Sequence, residues 1–150
     1  MTVALSSLIS PGFHDLHLDI KTELHDEYWL KGGRGSTKST FASTEIILGM
    51  IDDPEANAVT FRRYSNELRD TVYGQFEWTI NRLGLAEQFR FQYAPMQIVF
   101  EETGQKIVFK GADNPQKLKS VNLGKGYVKY AWFEEVDQFA GMPEIRNIIQ

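Results

Sequence analysis

The sequence predicts an α/β fold: a mainly parallel sheet flanked by helices, with an inserted antiparallel hairpin. Three observations carry that prediction. A glycine-rich run, Gly32-Gly33-Arg34-Gly35-Ser36-Thr37-Lys38-Ser39-Thr40, stands between an apolar run and a helical stripe. A second apolar run, Val128–Phe133, ends in Glu134-Glu135. Between them, Met96, Ile98 and Phe100 fall at alternate positions, as do Ile107 and Phe109 beyond a turn at Glu102–Gln105. Buried parallel strands read as apolar runs, and open α/β sheets present their ligand-binding groups at the carboxyl ends of those strands. A phosphate loop followed by an acid-tipped strand places the chain in the P-loop NTPase class, of the ASCE or RecA-like kind.

Taken in chain order, Glu27-Tyr28-Trp29-Leu30-Lys31 reads as the strand that enters the glycine-rich loop. The pattern Gly, four residues, Gly-Lys-Ser/Thr fits Gly32 through Ser39 except at position 37, where threonine replaces the second glycine. Gly32, Gly33 and Gly35 are expected at positive φ, turning successive N–H groups inward as an anion nest with Ser36. Thr37 is expected in the first helical turn, where right-handed dihedrals tolerate a Cβ. Ala42, Ile46 and Met50, widened by Phe41, Ile47 and Ile51, then mark a helix that stops at Asp52-Asp53-Pro54.

Ala58–Phe61 reads as the next parallel strand, with Arg62, Arg63 and Tyr64 at its carboxyl end. These three are either nucleotide, subunit or DNA contacts, or an exposed basic turn. Leu68, Val72, Phe76, Ile80 and Leu83 predict an amphipathic helix over 66–83, closed by Gly84. Lys110, Lys117, Lys119 and Lys125 form a basic stretch that either follows a phosphate backbone or is simply solvated. Met142–Gln150 has the spacing of a helix with no capping glycine after it, the pattern expected of a fragment.

Each residue type of the loop has a chemical role. The helix start aims unpaired N–H groups and its positive dipole end at an anion, Lys38 supplies an ammonium, and the Ser39 hydroxyl suits Mg²⁺. Thr40 follows within the same nucleotide-binding segment. Glu134 is assigned to the metal and Glu135 to the attacking water, since paired acids at a strand end can divide these tasks. Arg34 is either an arginine finger in cis or a surface arginine paired with Glu134 or Glu135. The cofactors this predicts are ATP and Mg²⁺.

His14, His17 and His25 lack a second ligand cluster at zinc spacing and are read as packing or surface residues. With 16 basic and 20 acidic side chains, the net charge of −4 provides no global attraction to DNA or to anionic membranes, so any DNA contact is local. No cysteine occurs, which excludes disulfides and leaves the compartment open. No basic n-region opens the chain and no apolar run is long enough for a membrane span, and these two features predict a soluble cytoplasmic protein.

Lys31–Thr40, the segments Phe61-Arg62-Arg63-Tyr64, Leu68-Arg69-Asp70, Gln75-Phe76 and Leu83-Gly84-Leu85, and Trp132-Phe133-Glu134-Glu135 together resemble phage terminase large subunits of the PBSX type. The stretches Phe109–Asp113 and Pro115–Ser120 extend the resemblance over most of residues 13–139. It implies an ATP-driven motor that packs double-stranded DNA into a procapsid. Lys38 and Ser39 would act on nucleotide and Mg²⁺, Arg34 near the γ-phosphate, and Glu135 as the catalytic carboxylate. It further implies a small terminase subunit and a portal protein as partners, a homo-oligomeric ring, and the cytoplasm of the bacterial host. Residues 1–150 would form the amino-terminal part of the ATPase domain, with the nuclease domain outside this chain. No glutamine precedes Gln75, so adenine recognition rests on the resemblance alone. A P-loop kinase, and a truncated nucleotide- or partner-binding module without turnover, are the competing expectations.

Overall fold

A computed structural model describes residues 4–34, 37–113 and 121–149. Its centre is a five-stranded sheet of order β2-β3-β4-β1-β5, with β1 at Ala56–Arg62, β2 at Phe89–Tyr93, β3 at Met96–Phe100, β4 at Lys106–Gly111 and β5 at Tyr127–Phe133. β1 pairs in parallel with both β4 and β5, with Thr60 opposite Phe109 on one side and Trp132 on the other. β3 pairs antiparallel with β2 and with β4. The sheet is therefore evenly mixed, where a mainly parallel one is expected. The predicted hairpin does form, but β4 is itself a partner of β1, so the hairpin extends the sheet. β2, not foreseen, adds the outer strand.

The helices are α1 at Leu5–Leu8, α2 at His14–Lys21, α3 at Lys38–Asp52, α4 at Gly74–Arg82 and α5 at Met142–Ile149. Strand alternation sorts the core into two layers. Ala58, Ile107 and Phe109 face α3 and α4, where Ile46, Ile47 and Met50 meet Val72, Tyr73, Phe76 and Ile80. Val59 and Phe61 face the other side, against Phe139 and Ile145 of the α5 region. Ile51, expected on the α3 stripe, is exposed at 41% because the stripe is narrower than the apolar spacing suggests. The helix expected over 66–83 is built in pieces: a 3₁₀ turn at Ser65–Glu67, a π-helical turn at Arg69–Tyr73, then α4. Gly84 closes it at φ +73°, as a C′ glycine should.

The strand predicted at Glu27–Lys31 is absent. Residues 27–33 run in irregular conformation and join neither open edge of the sheet, at β5 or at β2. Their aromatics find local partners instead: the Trp29 indole donates to Glu27 Oε1 at 2.5 Å and the Tyr28 hydroxyl to Asp19 Oδ1 at 2.9 Å. The loop therefore enters α3 from a segment that α2 holds. α2 in turn is fastened to α3 by the buried His17–Glu45 pair, where burial pushes the Glu45 carboxyl above its ordinary value against the hydrogen bond from His17.

Candidate active site

The first turn of α3 and the carboxyl end of β5 meet although 95 residues separate them: the Ser39 hydroxyl donates to Glu134 Oε1 at 2.8 Å. The strand period explains how. Tyr130 and Trp132 lean on the α3–α4 layer while Phe133 packs on the opposite one, so Glu134 falls on the α3 face. Its N–H donates to Phe61 O at 3.0 Å, which continues the β1–β5 ladder and holds the carboxylate at the end of the sheet. Ser39 is fixed from behind, because its carbonyl accepts from Ser43 Oγ at 2.8 Å and Ser43 is linked to Thr79 of α4 at 2.7 Å.

Two non-glycine residues in the left-handed region flank this contact. Thr37 has φ 63° and ψ 17°, and Glu135 has φ 55° and ψ 58°. The Thr37 conformation corrects the right-handed one expected from the sequence and gives the motif's variant position a physical meaning. The backbone there takes the conformation that glycine adopts freely, and threonine adopts it at a cost of about 1–2 kcal/mol. At Glu135 the same conformation breaks the strand alternation directly after Glu134, so the second carboxylate leaves the sheet on an exposed turn. Backbone outliers of this kind concentrate at functional sites.

The glycines differ from expectation: neither Gly32 nor Gly33 takes a positive φ. The Lys38 ammonium donates to Gly32 O at 2.5 Å and to Gly33 O at 3.4 Å, so the lysine folds back over the loop and holds two of its carbonyls. Arg34 is exposed and, among the described residues, makes no ion pair with Glu134 or Glu135. Gly35 and Ser36 lie outside the described residues, as do Lys117 and Lys119 of the basic stretch. Lys125 is exposed near the start of β5, remote from the acid end of that strand. Arg62 is buried and paired with Glu67 at 2.5 Å, and Arg63 lies 3.5 Å from Glu144, so these two are structural ion pairs where a basic turn was one of the expectations.

On the other side of the α3 N-terminus, residues 6–13, α3 and α4 enclose a cavity of about 480 Å³. It is lined by Thr37, Thr40 and Phe41 on one side and by Trp78 and Arg82 on the other. Sequence reasoning missed it. The one available signal was Trp78, an aromatic lying off the buried stripe Val72–Phe76–Ile80 and 53% exposed. Among the described residues no three His, Asp or Glu side chains gather as a metal-binding cluster, and no helix is long and apolar enough to cross a membrane.

A family model described as phage terminase large subunit matches residues 25–150. The chain is 33% identical over 146 residues to the terminase large subunit of Bacillus phage SPP1, covering 97% of this chain and 34% of that protein. It is 33% identical over 119 residues to the PBSX phage terminase large subunit of Bacillus subtilis strain 168, covering 78% of this chain and 26% of that protein. The chain thus spans about a third of the length of the first relative and about a quarter of the second.

Proposed function

The chain belongs to the phage terminase large subunit family, and on that premise we propose that residues 32–40 with Glu134 and Glu135 form a P-loop ATPase site that powers packaging of double-stranded DNA. The observation that carries the reading is the 2.8 Å contact between Ser39 Oγ and Glu134 Oε1. A hydroxyl at the head of a helix and a carboxylate at a strand end supply two hard oxygen donors side by side, which fits Mg²⁺. Glutamate has the reach to hold the ion directly or through a water. When bound with ATP, Mg²⁺ screens the charge of the terminal phosphates and holds them in line for attack.

The residues of the chain divide the remaining work. The N–H groups opening α3 face the polyphosphate and favour its charge. Lys38, now donating to Gly32 and Gly33 carbonyls, exchanges those acceptors for phosphate oxygens. Arg34, on an exposed turn of the same loop, supplies a guanidinium for charge that develops on the transferring phosphoryl. Glu135, turned out of the strand by its left-handed backbone, orients the attacking water and accepts its proton. In the whole protein this turnover would be coupled to DNA movement in a homo-oligomeric ring, with a small terminase subunit and a portal protein as partners, in the host cytoplasm. The net charge of −4 requires that DNA be gripped by a local basic surface.

The test uses the full-length protein. Lys38→Ala should abolish thermal stabilisation by Mg²⁺-ATP, which for one site at 100 times Kd amounts to about 2.7 kcal/mol. Glu135→Gln should keep that stabilisation and lower turnover by about 10²–10⁴-fold. Stabilisation that survives Lys38→Ala would remove the phosphate-loop reading, and normal turnover in Glu135→Gln would remove Glu135 from the chemistry.

A further inference from the structure

Resting on the nucleotide reading above, we propose that the cavity between residues 6–13, the first turn of α3 and α4 is the subsite for the nucleobase and ribose, with Trp78 as the stacking face for a purine. Helix geometry supplies the direction. Consecutive residues on α3 advance by about 100° around its axis. Ser39 faces Glu134, whereas Thr40 and Phe41 have turned to line the cavity. A polyphosphate lying across the α3 N-terminus with its terminal phosphates at Glu134 therefore extends its other end toward this space.

The lining suits a flat, uncharged heterocycle. Among the described residues, Arg82 is the one charged side chain there, and no carboxylate lines the space. The Arg82 guanidinium stands 5.4 Å from the Trp78 ring centroid and donates to Ser7 O at 3.1 Å and Leu8 O at 3.4 Å, which fixes the amino-terminal segment as the facing wall. Phe13 stacks on Phe41 at 4.5 Å with an interplanar angle of 10°, giving an aromatic floor beside the phosphate loop. The Ser10 and Thr37 hydroxyls, 3.3 Å apart, stand at the junction between cavity and loop, where a ribose would present its own hydroxyls. A volume of about 480 Å³ lies within the range of small-ligand sites. Trp78 is 53% exposed on a helix whose buried face is complete without it, so its indole is available to a ligand. A two-ring base covers that indole more fully than a one-ring base, and the subsite therefore ranks ATP and GTP above CTP.

The experiment measures, by calorimetry on the full-length protein with Mg²⁺, affinities for ATP, CTP and inorganic tripolyphosphate in the wild type, Trp78→Ala and Trp78→Phe. The expected result is that the wild type binds ATP more tightly than CTP or tripolyphosphate. Trp78→Ala should weaken ATP binding by about 10-fold or more, the scale of one base–aromatic stack, leave tripolyphosphate unchanged, and be largely rescued by Trp78→Phe. Equal wild-type affinity for ATP and tripolyphosphate would overturn the subsite while leaving the phosphate loop standing. So would an ATP preference that Trp78→Ala leaves intact, or a loss in Trp78→Ala that falls equally on tripolyphosphate. Absence of any binding in the wild type would overturn the ATPase reading itself, and the subsite with it.

Discussion

The left-handed backbone at Thr37 can be tested by the sign of one stability difference, that between Thr37→Gly and Thr37→Ala. Both variants lose the 3.3 Å contact between the Ser10 and Thr37 hydroxyls, so that loss cancels in the comparison. What differs is the Cβ. At φ 63° and ψ 17° an L-residue bears about 1–2 kcal/mol that glycine does not, while glycine gives up about 0.5–1 kcal/mol more chain entropy on folding. The glycine variant should then be the more stable by about 0.5–1 kcal/mol, and its melting temperature about 1–4 °C higher. Were position 37 in a right-handed first turn, helix propensity would reverse the order, with alanine ahead by about 1 kcal/mol. Thermal and denaturant unfolding followed by circular dichroism, without nucleotide, reads the difference. Alanine equal to or above glycine would refute the conformational account of the variant loop.

Two further perturbations test the layers that hold the site. Phe76 is fully buried, edge-on to Phe109 and Trp132, so Phe76→Ala should destabilise by about 3–5 kcal/mol and lower the melting temperature by roughly 10 °C or more; a loss under about 1 kcal/mol would mean that the α4–sheet layer is not packed as described. Burial pushes the Tyr73 phenol up to about 12. Its folded-state value lies above the unfolded one of about 10, so the stabilisation from the neutral phenol is complete below pH 10 and lost as pH rises from about 10 toward 12. Stability measured across that interval should fall less steeply in Tyr73→Phe than in the wild type, and parallel curves would exclude Tyr73 as the source.

Elements whose signal is local are the ones legible in the sequence. α3 is legible because Ala42, Ile46 and Met50 recur with the helix period and Asp53-Pro54 ends it, a signal contained within some fifteen residues. β1, β3, β4 and β5 are legible from apolar runs and alternation, and Gly84 from its place after the Leu68–Leu83 stripe. The Ser39 and Glu134 pairing is legible in outline, since both residue types carry chemistry that a nucleotide site needs. The strand expected at Glu27–Lys31 shows where such reasoning stops. Its composition is strand-like, but Tyr28 is held by Asp19 of α2 and Trp29 by Glu27, contacts off the sheet that no local pattern announces.

The sequence by itself determined the order of loop, helix, central strands and acid-tipped strand, and the residue types at the loop and the acid pair, because these depend on periodicity and functional-group chemistry along the chain. Tertiary structure alone decided that the hairpin joins the sheet through β4, that Thr37 and Glu135 turn left-handed on either side of the Ser39–Glu134 contact, that Arg62 is buried against Glu67, and that Trp78 and Arg82 close a cavity with residues 6–13. Each of these results from long-range packing competing with local preference. A strand can pair only with the edge that remains open, a backbone accepts strain where surrounding contacts over-determine it, and a cavity belongs to segments that no spacing rule connects.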